Sequence, residues 1–309
     1  MDRFEGMKVF CTVVEAGGFA AAADRLGIST SAASRHVAQL EAHLNVRLLN
    51  RTTRRVSPTD EGYAYFERCT QLLADVEEAE ALVAGGAAVP RGRLRITAPG
   101  ALATLRLAPA LAAFSEAYPE LSLDLVLSES VVDFIEEGID VAIRVGRIGS
   151  TNLVARRIGQ ARLIAAAAPD YLARHGNPAT PDDLSQHRCL TYAYAASGNI
   201  WHFGDAEGQR LEVRVAGRLH ANNGVLLAEM AAAGCGVTMA PDFILGPLIA
   251  DGRLRPVLEP WMPPALPINV VYPTRRHLSA KVRAMSTYLA NWFERERAIE
   301  ARASATGTA

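Results

Sequence analysis

The chain has 309 residues, 50% of them hydrophobic and 21% charged, a balance that excludes disordered and fibrous proteins and fits roughly two domains of about 150 residues each. Lys+Arg is 32 and Asp+Glu is 33, a formal net charge of −1. That excludes a wholesale polycation, although a balanced sum can hide a basic module beside an acidic one. No stretch of about 18 apolar residues occurs. Asp2, Glu5 and Lys8 interrupt the segment where an export signal needs a purely apolar run, so a soluble, cytoplasmic chain with no membrane partner is expected.

In chain order, Phe4, Met7, Phe10, Val13 and Val14 follow a helical period that stops at Gly17 and Gly18. A second short helix, with Phe19, Ala22, Ala23 and Leu26 on one side, ends at Gly27, the residue type that closes helices in the left-handed region. Ser29 takes the N-cap position of a third helix from residue 30 to about residue 43, whose inward stripe is Ala33, Val37, Leu40 and Leu44. Its other residues include Thr30, Ser31, Ser34, Arg35 and Gln39, and its only acid is Glu41, near the far end. Two short helices joined by a glycine-containing turn, the second with a small, polar, acid-free outer face, make the helix-turn-helix pattern. Small residues let the backbone approach the major groove, and Ser, Thr, Gln and Arg offer donors to base edges or phosphates.

Residues 46–56 follow with Arg47, Arg51, Arg54 and Arg55 and no acid, among β-prone residues. This reads as a β-wing whose arginines straddle adjacent phosphates. Residues 1–58 hold eight basic residues against five acids, a net charge of +3. A helical bundle with a merely solvated face would carry Glu and Lys there, whereas Ser, Thr, Gln and an arginine wing point to DNA.

The run FAAAADRLGISTSAASRHVAQLE, from Phe19 to Glu41, followed by LNVRLLNRTTRRVSPTDEG, resembles the LysR-type transcriptional regulators. The resemblance continues along the whole chain, to the helix before Arg297. By it, Ser31, Ala32, Ser34, Arg35 and Gln39 match the family's DNA-facing positions, and Arg51 and Arg54 match its wing contacts. Ser29, Thr30, Thr52 and Arg55 complete the candidate DNA-binding set. One departure is Thr30, where many members carry Pro at the first helical position; Thr can still start a helix. The implied fold is α/β, with an N-terminal winged helix-turn-helix over residues 1–59 and a C-terminal two-lobed, periplasmic-binding-protein-like (type 2) effector domain.

A new helix begins at Thr59, with Asp60 and Glu61 near its positive end. Tyr65, Cys69, Leu72, Val76, Ala79 and Val83 alternate by four and three residues, the seam of a coiled coil. Residues 60–84 carry seven acids and one Arg, net −6. The seam ends at the flexible Gly85-Gly86-Ala87-Ala88, and no neighbouring helical segment is at hand to cover it, which favours pairing between chains over packing on one domain. Residues 60–89 are thus expected to be a dimerisation helix and hinge. The resemblance implies that two such helices pair antiparallel and hold two heads over a dyad promoter site in double-stranded DNA, in a dimer or dimer of dimers that bends it. RNA polymerase stays open as a further partner.

From Pro90 the pattern changes. Strands are expected at 94–97, 121–127, 141–145, 163–168, 237–240 and 268–272. Helices are expected at about 101–118, 131–137, 169–175, 221–234 and 279–297. Strand alternating with helix at this spacing argues a parallel α/β sheet. The resemblance supplies the topology: a domain over residues 90–300, with lobe I at about 90–160 and 266–300, lobe II at about 161–265, and a flexible tail at 301–309. Ligands in open α/β sheets sit at the carboxyl ends of strands. The candidates there are Thr97, Pro99, Gly100, Ala101, Ser128, Arg144, Val145 and Gly146, with Trp201, Phe203, Asn222 and Asn223 from the second lobe. The resemblance points to the same cleft for a small-molecule effector, and helix starts near Ala101 and Asn222 favour a carboxylate.

The four cysteines (Cys11, Cys69, Cys189, Cys235) are far apart with no CxxC, and are expected as reduced thiols; only Cys235, between small residues in AAAGCGV, leaves its accessibility open. No GxSxG, GxxxxGK[ST], HExxH or post-strand GxGxxG occurs, and His36, His43, His175, His187 and His202 lack metal spacing. The expectation is therefore a regulator that is not an enzyme, with no catalytic residues, no metal and no cofactor. The alternatives are an effector-binding α/β protein or enzyme without a DNA role, and an uptake protein, for which an Arg-rich head has no use. Steep salt dependence of duplex binding separates the regulator from both.

Overall fold

The computed structural model describes residues 2–51, 56–83, 89–130, 134, 137–149, 153–195, 197–204, 209–262, 265–273 and 278–306. They form two compact units. One comprises Met1–Arg93, Tyr118–Ser122 and Ser279–Lys281; the other comprises Leu94–Ala117, Leu123–Leu278 and Val282–Ala309.

The first unit holds helices α1 (Arg3–Ala16), α2 (Phe19–Leu26) and α3 (Thr30–Leu44), strands β1 (Leu49–Arg51) and β2 (Val56–Pro58), and the long helix α4 (Asp60–Val83). Val9, Phe10 and Val13 of α1, Ala22 and Ala23 of α2, and Ala33, Val37 and Leu40 of α3 are sealed in one core with Leu48 and Leu49. The periodic apolar positions of three short helices thus face one another, which stabilises helices too short to persist alone. Asp2 caps α1 by accepting the Phe4 N–H at 3.0 Å. Gly17 and Gly27 close α1 and α2 in the left-handed conformation.

The long helix corrects the expectation that nothing covers its seam. Cys69 lies in the head core, with Tyr65, Phe66 and Leu73 packed against it, and the rings of Phe10 and Tyr65 lie 5.8 Å apart. The reason is that α1 presents Phe10 and Cys11 toward the N-terminal half of α4. Leu72, on the expected seam, stays 49% exposed. Two of the helix's acids also have partners, Glu67 with Arg93 and Glu77 with Arg91, so its negative charge is partly offset. The segment Gly85-Gly86-Ala87-Ala88 lies outside the described residues.

The second unit contains two five-stranded sheets. Along the chain come β3 (Gly92–Ala98), a helix α5 running from Gly100–Leu102 through a π-turn at Ala103–Leu107 into Ala108–Ala117, β4 (Leu121–Leu127), β5 (Val141–Val145) and β6 (Leu153–Ala161). Then follow β7 (Leu163–Ala167), α6 (Pro169–His175), a 3-10 turn at Pro181–Gln186, β8 (Cys189–Tyr192), β9 (Ile200–Gly204), β10 (Arg210–Arg214) and β11 (Leu219–Ala221). The chain ends with α7 (Gly224–Ala232), β12 (Val237–Pro241), α8 (Asp242–Ala250), β13 (Arg255–Val257), β14 (Leu266–Pro273) and α9 (Ala280–Thr306).

The first sheet has the order β4-β3-β5-β14-β6 and the second β11-β8-β12-β7-β13, with β9 and β10 as a separate antiparallel pair. Neither sheet is purely parallel, a second correction. β3 and β5 run parallel, but β14 is antiparallel to both β5 and β6; β8, β11 and β12 run parallel, but β7 is antiparallel to β12 and β13. The chain passes from the first sheet to the second at Arg162, between β6 and β7, and returns into β14. The strands entered at these passages, β7 and β14, run against their neighbours.

Val141, Ala142 and Ile143 are consecutively buried, as are residues 268–271 of β14, because helices and loops cover both faces of these central strands. On α9, Val282, Met285, Leu289 and Phe293 form the buried stripe. That helix continues to Thr306, so residues 301–306, expected as tail, are helical. The helix expected at 131–137 lies mostly outside the described residues.

Candidate DNA-reading head and effector cleft

In α3 the inward stripe Ala33, Val37 and Leu40 is at most 1% exposed, while Thr30, Ser31, Arg35 and Gln39 stand exposed and Ala32 and Ser34 are half-buried. Ser29 is spent on the cap: its hydroxyl accepts the Ala32 N–H at 3.1 Å and lies 3.0 Å from the Ser31 hydroxyl. The lone acid of the helix has a structural task. Glu41 Oε1 accepts the N–H groups of Leu48 and Leu49 at 2.8 and 3.1 Å, binding the start of the wing to the reading helix. β1 and β2 pair antiparallel, with Arg51 opposite Val56. Thr52, Arg54 and Arg55 lie outside the described residues.

Thr59 joins the wing to α4. Its hydroxyl donates to the Arg47 carbonyl at 2.8 Å and accepts the Gly62 N–H at 2.9 Å. Gly62 is required by close approach, since a Cβ there would lie 1.9 Å from the Leu48 carbonyl oxygen. Cys11 and Cys69 are both buried free thiols, and the Thr70 hydroxyl donates to Cys11 Sγ at 3.9 Å. The neighbouring Cys69 and burial push the Cys11 thiol above its ordinary range, while Cys11 lowers that of Cys69. Burial likewise pushes the Cys189 thiol up to about 12, and Cys235 is half-buried.

In the two-lobed unit, Thr97 is fully buried and its hydroxyl accepts from Arg144 at 3.3 Å. Arg144 also donates to the carbonyls of Ile143 at 2.9 Å and Ser130 at 3.1 Å. Its pKa is lowered by burial, opposed by the charges of Glu129 and Glu137. Ser128 Oγ lies 2.8 Å from Ser130 Oγ, and its N–H donates to the Ala98 carbonyl at 3.0 Å. Pro99 and Gly100 are half-buried, and Ala101 packs against the second lobe's apolar cluster. Beyond Val145, Gly146 is tied to the returning strand: its N–H donates to the Pro267 carbonyl at 2.8 Å and its carbonyl accepts from Asn269 at 2.9 Å.

The second-lobe candidates divide differently. Trp201 and Phe203, 6% and 1% exposed, are sealed in the core with Tyr171, Val213 and Val257. This corrects their assignment to the cleft. They lie two residues apart on β9, so strand alternation sends both rings inward together. Asn223 caps α7, its Oδ1 accepting the Leu226 N–H at 2.9 Å, and Asn222 is exposed.

Beside these candidates lie residues that strand-end reasoning missed. Glu129 Oε1 accepts the Gly100 N–H at 3.1 Å, and Oε2 accepts the Tyr192 O–H at 2.8 Å. Burial, then Glu129, raises the Tyr192 pKa. Glu129 directly follows the candidate Ser128, so position offered a signal. Tyr192 offered none, because β8 lacks a distinctive pattern.

Residues 4–63 match the family model of the bacterial regulatory helix-turn-helix protein, lysR family, and residues 87–294 match the LysR substrate binding domain. The chain is 36% identical over 286 residues to the transcriptional regulator CrgA of Neisseria meningitidis serogroup C, covering 92% of this chain and 95% of that one. It belongs to the LysR family. The similarity to the regulator DmlR of Escherichia coli K12 is 35% over 288 residues, 93% of each chain. Among solved structures, CrgA superposes with a TM-score of 0.59 at 35% identity, covering 94% of this chain and 98% of that one. The full-length Vibrio cholerae virulence activator AphB gives 0.58 at 29% identity, covering 94% and 99%.

The protein is thus a LysR-type DNA-binding transcriptional regulator. It joins an N-terminal helix-turn-helix domain to a C-terminal effector-binding domain of the type 2 periplasmic-binding-protein kind. No helix among the described residues is long and apolar enough to cross a membrane.

Proposed function

We propose that this regulator reads a dyad promoter site as a dimer or dimer of dimers, and that a small carboxylate bound between its lobes sets how the heads are spaced. The observation that carries the reading is the division of α3: a sealed apolar stripe on one side, and exposed Thr30, Ser31, Arg35 and Gln39 on the other. Arg35 and Gln39 lie four residues apart, one turn along the helix, so both reach the same groove. Arg51, Thr52, Arg54 and Arg55 of the wing hold the flanking phosphates. Residues 1–59 form the reading head, 60–89 the pairing helix and hinge, and 90–300 the effector domain.

The cleft binds an effector through Thr97, Pro99, Gly100, Ala101, Ser128 and Arg144, with Val145, Gly146, Asn222 and Asn223 at its margins. The Gly100 N–H already donates to a carboxylate there and the Arg144 guanidinium feels its charge, donors that suit an anion. The effector shifts the lobes only by its differential affinity for their two arrangements. The protein acts in the cytoplasm as a regulator without catalytic activity, and RNA polymerase is its partner once it is seated at a promoter. Titrating the protein against its own upstream promoter fragment over a salt series tests the proposal. Affinity that falls steeply with salt, with a two-fold symmetric footprint, is the expected result. No retention at low salt overturns it.

A further inference from the structure

Glu129 is bonded to both lobes at once. It follows β4 of the first lobe, and its two oxygens accept one donor from each side: Gly100 N–H at 3.1 Å, just after β3, and Tyr192 O–H at 2.8 Å, at the end of β8 in the second lobe. Arg144 holds the neighbouring Ser130 carbonyl at 3.1 Å and feels the Glu129 charge. The hydrogen bonds it makes to Ile143, Thr97 and Ser130 all go to neutral oxygens. An amide, a phenol and a nearby guanidinium therefore surround one carboxylate, and that carboxylate belongs to the protein. A Cβ added at Gly100 would meet no atom within 4 Å, so open space adjoins the amide.

We infer that Glu129 is an internal carboxylate ligand that latches the two lobes together, and that an acidic effector acts by displacing it. The inference rests on the effector-cleft reading above. Two carboxylates cannot share the seat, because like charges at hydrogen-bonding distance from the same donors repel strongly. A ligand carboxylate that accepts the Gly100 N–H expels Glu129 and removes the Tyr192 bond that depends on it. Ligand arrival is thereby coupled to the release of a contact between lobes. Glu129 also lowers the apparent affinity of every outside carboxylate, by the fraction of time it fills the seat. Neutral ligands of the same shape gain nothing from the exchange.

The test uses full-length protein labelled with 15N-glycine, with benzoate as the probe and benzamide as its neutral counterpart. Benzoate is expected to move the Gly100 amide resonance and to bind Glu129→Ala about tenfold more tightly than wild type. Tyr192→Phe, which loosens the latch from the other lobe, shifts affinity in the same direction by about threefold. Benzamide moves Gly100 in none of the proteins. Should Glu129→Ala fold poorly, the near-isosteric Glu129→Gln carries the same comparison, with tighter benzoate binding again expected. Equal benzoate affinity in wild type and variant, with Gly100 shifting in both, overturns the latch and leaves the carboxylate cleft standing. A Gly100 resonance unmoved in either protein up to about 10 mM benzoate overturns the latch and the carboxylate cleft together.

Discussion

In the head, one helix supplies both the apolar stripe that fixes its place and the polar row offered to DNA. In the two-lobed domain the polar groups of the proposed cleft come from separate elements: Thr97 from β3, Glu129 from the loop after β4, Arg144 from β5 and Tyr192 from β8. The head positions its reading groups by local periodicity, so they tolerate exchange as long as the stripe survives. The cleft positions its groups by long-range contact, so each depends on the others. The Glu129–Tyr192 bond joins residues 63 apart in sequence.

This contrast breaks hardest at two glycines. Gly62→Ala puts a Cβ 1.9 Å from the Leu48 carbonyl in the head, and Gly217→Ala puts one 1.6 Å from the Cys189 carbonyl in the second lobe. Each is expected to cost on the order of 3 kcal/mol in the region it occupies. Differential scanning calorimetry checks this: Gly62→Ala lowers the melting of the head, Gly217→Ala that of the effector domain. A single common shift for both would show that the regions unfold as one.

Next in size, Arg35→Ala is expected to lose about 1–3 kcal/mol of promoter affinity and to relax discrimination among mutated sites. Arg54→Ala is expected to weaken all sites nearly uniformly, with a salt slope shallower by about 1. Quantitative footprinting on wild-type and mutated promoters separates the two. Smaller still, Ser29→Ala removes the cap of α3 and is expected to cost about 1 kcal/mol, read as a lower melting temperature of the head alone.

The smallest effect is one of pH in the second lobe. His187 is buried beside Tyr171, its Nδ1 3.2 Å from the phenol oxygen, and its pKa is lowered by burial and by the charge of His175. The unfolded chain therefore takes up this proton at a higher pH than the folded one. Stability from this site is present above the ordinary histidine range and is lost as the pH falls through it. Melting of the effector domain at pH 7.5 and at pH 5.5 checks the sign, and His187→Gln flattens the difference.

Elements with a clean period were legible in the sequence. The strands at Leu121–Leu127 and Val141–Val145 and the helix at Pro169–His175 fall where alternation and turn residues place them. Helix α8 (Asp242–Ala250) was not legible, because DFILGPLIA is apolar nearly all round and has Pro247 in its middle, so no face stands out. The strands β8 and β11 are short, and their pairings are settled by neighbours remote in sequence. The same division holds for function. Arg35 and Gln39 could be read from one helix, whereas Glu129 and Tyr192 acquire their meaning only when two lobes meet. Trp201 and Phe203 misled because aromatic residues suit a ligand pocket and a β-strand core equally well.

The grip of Glu41 on Leu48 and Leu49 has a consequence for how such a protein changes its target over generations. The third helix and the start of the wing are clasped by a carboxylate outside the exposed polar row of Thr30, Ser31, Arg35 and Gln39. On the proposed reading, exchanging Ser31, Ser34, Arg35 or Gln39 rewrites the sequence preference while the start of the wing keeps its alignment to the helix. New specificities are therefore reachable one side chain at a time, without rebuilding the footing.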